Sequence, residues 1–76
     1  GPAVPDGVQH AAVPALTVHL LLDLEGATCG LEASKEGAVL VSRQRVSTPR
    51  WLVFFSSGAI FGFRVVGRKI ENVAPK

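Results

Sequence analysis

From Thr17 onward the chain alternates. Val18, Leu20, Leu22 and Leu24 are interleaved with Thr17, His19, Leu21 and Asp23, the period-two signal of a strand with one face in a core. Glu25-Gly26 then turns the chain, and Ala27 to Glu32 has the length of a short second strand. Ser34-Lys35-Glu36-Gly37 reads as a tight polar turn ended by a glycine. Val39-Leu40-Val41 opens a third strand that turns polar at Ser42-Arg43-Gln44-Arg45, closes at Val46 and is broken by Ser47-Thr48-Pro49. Trp51-Leu52-Val53-Phe54-Phe55 is apolar at every position, as expected of a strand buried on both faces or completed by another chain. Ser56-Ser57-Gly58 is a hairpin loop. The return strand, Ala59 to Val66, sets Phe61, Phe63 and Val65 on one face and Ile60, Gly62, Arg64 and Val66 on the other. Gly67-Arg68-Lys69 turns into a last short strand, Ile70 to Val73, ended by Pro75.

Ahead of this pattern the chain reads differently. Residues 1–16 form a tail holding Pro2, Pro5 and Pro14, with room for one short helical turn begun by Asp6 as N-cap and stopped before Pro14. Gly1-Pro2 has the form of the scar left when a purification tag is cleaved off, so the natural chain is expected to extend upstream. No window after the tail supports a helix of ordinary length. Short strands separated by Gly, Ser and Pro predict an all-β domain over residues 17–76, a five-stranded, strongly bent sheet or small barrel of the SH3-like class.

Composition sharpens this reading. Seventy-six residues have room for one small core, and 47% hydrophobic against 18% charged residues is a globular balance. So few charges leave apolar surface that is expected to face a partner. A single cysteine, Cys29, excludes an internal disulfide and a cysteine-rich metal site, so the cytoplasm or nucleus is the expected compartment. No apolar run approaches the ~20 residues that span a bilayer. The net charge of +2 conceals a polarity: residues 1–36 carry −4 and residues 37–76 carry +6. Either the fold mixes the two halves into an ordinary salt-bridged surface, or it keeps an anion-binding face or complementary edges.

Catalysis finds little footing. A serine or cysteine nucleophile needs a base in reach, and the histidines are His10 in the tail and His19 between Val18 and Leu20. There is no C-x-x-C or H-x-x-x-H, and Asp23 with Glu25 reads as a solvated pair beside a turn. Gly58, Gly62 and Gly67 make no phosphate loop, because no helix follows them. The sequence predicts no enzyme, metal, cofactor or small-molecule substrate.

Nucleic acid has more support. Arg43 and Arg45 alternate on one strand, Arg50 precedes Trp51, and Arg64, Arg68 and Lys69 follow two phenylalanines, an interleaving of cations and aromatics found in stacking platforms. Phe61-Gly62-Phe63 echoes the centre of the RNP1 motif, but Ala59-Ile60 stand where that motif has a basic residue and glycine. The plainer reading of these phenylalanines is the core of a small barrel.

The order of elements and two stretches resemble an Sm-like domain over about residues 17–74. Val65-Val66-Gly67-Arg68-Lys69-Ile70-Glu71-Asn72-Val73 keeps the glycine and the two spaced apolar residues of the second Sm motif. Val18 to Leu24, Glu25-Gly26 and Gly30, followed by Val39-Leu40-Val41, resemble the first. The departures are specific. The Gly26 to Gly30 interval is one residue short, Glu36 and Leu40 stand where an aspartate and the RNA-contacting asparagine are usual, and Val66 replaces an arginine. The resemblance therefore implies the family's assembly chemistry rather than its uridine site: pairing of edge strands between subunits, as in the Gemin-type Sm-like scaffolds of the SMN complex.

Two functions follow as expectations. The first is a scaffold of ribonucleoprotein assembly or RNA processing that forms homo- or hetero-oligomers by strand-edge pairing, with Trp51, Val53, Phe55, Ile60, Phe61, Phe63 and Val65 at the interface. The second is a small single-stranded nucleic-acid-binding barrel that uses Arg43, Arg45, Arg50, Arg64, Arg68 and Lys69 on phosphates, with Trp51 or Phe63 stacking a base. A fragment of a larger viral or structural β-protein is a third reading.

Overall fold

The computed structural model describes the backbone of residues 8–10 and all of residues 15–75. Within them lie seven strands: β1 (Val8–His10), β2 (Leu16–Leu22), β3 (Thr28–Lys35), β4 (Leu40–Ser47), β5 (Arg50–Phe55), β6 (Ile60–Val66) and β7 (Lys69–Val73). They form two antiparallel sheets, ordered β1-β2-β3 and β4-β5-β6-β7. The all-β expectation holds, with two corrections. The first concerns closure: among the described residues no ladder joins the two sheets, so the molecule is a pair of sheets and not a single five-stranded barrel. The turn after Lys35, with Ala38 N donating to Lys35 O at 3.2 Å, carries the chain from one sheet to the other. Glu32 on β3 and Arg43 on β4 then join the two sheet edges by an ion pair.

The second correction lies in the tail. Val8–His10 is a strand and not a helical turn, paired antiparallel to β2 with Gln9 opposite Val18. The cap and stop expected of that turn, Asp6 and Pro14, lie outside the described residues. Three residues are too few to display a periodicity, which is why the pattern gave no sign of β1.

Alternation builds one shared core. Leu16, Val18 and Leu20 of β2 with Leu31 and Ala33 of β3 meet Val53, Phe55, Phe63, Val65 and Ile70 of the other sheet. Phe55 and Phe61 pack edge to face, with ring centroids 5.9 Å apart, a geometry set by the ring quadrupole. β4 is an edge strand and irregular: its register with β5 skips Val41 and Val46, and both are exposed.

The outward face of the larger sheet is partly covered by its own chain. A Cβ on Gly62 would lie 2.9 Å from Val73 O, 3.0 Å from Ala74 O and 3.0 Å from Pro75 Cα. Residues 73–75 therefore fold directly over Gly62. Leu52, opposite Gly62 in the ladder, is half-buried although it points away from the core.

Candidate nucleic-acid interface

Three hairpin turns meet at one end of the molecule. In the β2–β3 turn, Asp23 Oδ1 accepts from the amides of Glu25 and Ala27, each at 2.9 Å, and Asp23 N donates to Ala27 O at 2.8 Å. This closes a rigid loop of the kind that aspartate favours. Gly26 sits in it at φ +84°, and a Cβ there would lie 2.9 Å from Arg68 Nη2. The glycine thus serves both the left-handed backbone and the close approach of a guanidinium. The β6–β7 turn, Gly67-Arg68, is joined to the other sheet where Thr28 Oγ1 donates to Gly67 O at 3.2 Å. The β4–β5 turn, Thr48-Pro49, contains a cis peptide bond and is held where Val65 N donates to Pro49 O at 2.8 Å.

Between these turns lies an open groove of about 470 Å³, lined by Gly26, Ala27, Thr28, Arg45, Thr48, Pro49, Trp51, Val65, Gly67 and Arg68. Its size falls within the ~300–1,000 Å³ of small-ligand sites. Arg45 stands opposite Trp51 in the ladder, and its Cζ lies 4.8 Å from the centroid of the indole ring. That is cation–π distance, and it pre-orients the guanidinium. Two arginines and an aromatic surface converging on one cleft can hold a phosphate and an adjoining base, because the guanidinium fork matches phosphate oxygens and its plane stacks on rings. Comparison with family models, curated proteins and solved structures finds no match to this chain.

The structure divides the cations singled out in the sequence. Arg45 and Arg68 line the groove. Arg43 is engaged with Glu32, both side chains about 40% exposed. Arg50 and Arg64 face each other across β5 and β6 on the outward face, where Arg50 Nη2 donates to Ala74 O at 3.4 Å. Lys69, exposed, is opposite Val66 at the same end.

The apolar residues expected at an interface are placed chiefly inside. Val53, Phe55, Phe63 and Val65 belong to the core, while Phe61 and Trp51 are half-buried against it. Ile60 alone of the seven is well exposed, at 46%. β5 and β6 are interior strands whose backbones are paired on both sides; the free edges of their sheet are β4 and β7. Phe63 is 1% exposed and offers no ring to a base, which leaves Trp51 as the stacking surface.

Gly67, weighed in the sequence as a turn and motif glycine, also lines the groove, as do Thr28 at the start of β3 and Thr48 and Pro49 in the β4–β5 turn, which the sequence did not single out as site residues. Thr48 and Pro49 read only as punctuation between strands. His19 lies on the outward face of the smaller sheet, in a shallow depression with Thr17, Glu32 and Ser34. Cys29, which the β2–β3 register skips, donates its thiol to Leu21 O at 3.4 Å. Among the described residues no three His, Cys, Asp or Glu side chains gather as a metal site, and no helix is long and apolar enough to cross a membrane.

Proposed function

We propose that this chain is a small, non-catalytic β-protein of the cytoplasm or nucleus that binds single-stranded nucleic acid at the groove between its hairpin turns. The observation that carries this reading is the convergence of Arg45, Arg68 and Trp51 on one cleft of nucleotide size. Arg45 and Arg68 take a phosphate, and the Trp51–Arg45 stack offers a π surface that any base can use, so binding is tolerant of sequence. Trp51 is the sole tryptophan and reports directly on the site. Titrating the protein with an oligothymidylate or oligouridylate at low salt should quench its fluorescence. Arg45→Gln and Arg68→Gln should each weaken binding about tenfold, the cost of one charge-assisted hydrogen bond. Absence of quenching at low salt would end this reading.

One observation favours assembly as a second reading. Val41 and Val46 on edge strand β4 are 67% and 50% exposed, and Val39, just before it, is also exposed. Pairing of this edge with a second copy or a related subunit, in the manner of an Sm-like scaffold, buries those valines and satisfies the open backbone groups. The two irregularities oppose it, since bulges twist an edge away from pairing. If β4 is the assembly edge, light scattering should show an oligomer that Val41→Lys reduces to monomer; a wild-type monomer removes the reading.

A further inference from the structure

The rim of the groove is also the rim of the outward face of the larger sheet. Arg50 and Trp51 are consecutive on β5, so their side chains leave on opposite faces: Trp51 lines the groove, Arg50 the outside. Arg50 stands directly opposite Arg64, and the next outward-facing register pair toward the turn sets Val66 opposite Lys69. Arg45, Arg50, Arg64, Arg68 and Lys69, five of the eight cations in the chain, thus gather at one end of one sheet. Like charges directly opposite across a ladder destabilise it. Glu71 is opposite Arg64 on the other side, yet no ion pair joins them, and Arg64 and Lys69 are exposed. Asp23 and Glu25 belong to the turn of the other sheet, where Asp23 Oδ1 is occupied by the amides of Glu25 and Ala27.

We infer that Arg50, Arg64 and Lys69 form a second phosphate-contact site, and that a bound strand leaves the groove over the Gly67-Arg68 turn and continues across the outside of β5–β7. This rests on the nucleic-acid reading of the groove and deepens it. The ligand is a strand of several nucleotides, held at its first base by Trp51 and along its backbone by the outer cations.

The experiment compares a mononucleotide with an octanucleotide, thymidine 5′-phosphate against oligothymidylate, on the wild-type chain and on the double variant Arg64→Gln/Lys69→Gln. Neither side chain makes a hydrogen bond or ion pair among the described residues, so the variant should fold, and its thermal melt checks this. In the double variant, mononucleotide affinity should stay within about twofold. The octanucleotide should lose about 1.4 from the magnitude of its log–log salt slope, near 0.7 for each phosphate contact of a single strand. An unchanged octanucleotide slope would overturn the outer track while leaving the groove intact. Octanucleotide binding that ignores Arg45→Gln and Arg68→Gln but falls with the outer variant would overturn the groove as entry point. No binding of either ligand overturns both. Should the double variant melt early, Lys69→Gln alone carries the same comparison at half the slope change.

Discussion

Side chains of one strand have separate fates in the fold. Phe63 is 1% exposed and Ile60 46%, although both belong to β6. Phe63→Ala should cost about 3–5 kcal/mol, because a large ring leaves a cavity that its neighbours fill only in part. A chain of this length is held by roughly 4–11 kcal/mol in total, so this substitution should bring the protein to the verge of unfolding. Ile60→Ala should cost less than about 1 kcal/mol. Urea melts of the two variants test the contrast, and similar midpoints would mean that the β6 faces are wrongly assigned. Alternation correctly placed Phe61, Phe63 and Val65 on one face and Ile60, Arg64 and Val66 on the other. It was silent on whether the first face meets a core or a partner, because both remove the same apolar surface from water. Trp51 was legible as an aromatic among cations, but the pairing that gives it meaning is its ladder partner Arg45, set by a hairpin register that single-residue patterns do not contain.

At the scale of elements, β4 to β7 were legible to within a residue or two, since Gly, Pro and Ser mark the turns and alternating apolar residues mark the strands. β3 runs to Lys35, three residues past its expected end, because Ser34 and Lys35 continue the ladder opposite Thr17 and Leu16. Polar residues on the outward face of a strand look like a turn when read alone. The crossing of residues 73–75 over Gly62 left no pattern to read, as a glycine in a strand signals a close approach without naming what approaches. It gives a prediction at this scale. Gly62→Ala drives a methyl to within about 3 Å of three backbone atoms, and backbone yields less readily than a flexible side chain. The chain end should detach or the sheet should distort, at a cost of about 1–3 kcal/mol. Faster hydrogen exchange at Gly62 and along β7, with the β2–β3 amides unchanged, is the expected signature. Exchange indistinguishable from wild type would show that residues 73–75 do not pack there in solution.

For the whole molecule, the decisive fact is that the two oppositely charged halves are not interleaved. Residues 16–35 build most of one sheet, with Glu32 upon it and Asp23 and Glu25 in its turn, whereas residues 40–73 build the other with six of the eight cations. Sequence alone left this open, because mixing depends on topology and both outcomes fit the same composition. Given the topology, the consequence for recognition is directional: a polyanion is attracted to the four-stranded sheet and its turns and held off the three-stranded one, an asymmetry that salt weakens beyond the ~10 Å screening length at moderate ionic strength. Backbone chemical-shift mapping with a short oligothymidylate should therefore move resonances of the Thr48-Pro49 and Gly67-Arg68 turns, Trp51, Arg64 and Lys69. His19 and Ser34, on the outward face of the smaller sheet, should stay in place. Perturbations centred on His19 and Ser34 would put the ligand on the acidic three-stranded sheet and overturn the charge asymmetry as its guide. Shifts confined to β4 and growing with protein concentration would instead identify Val41 and Val46 as the meeting edge of two copies.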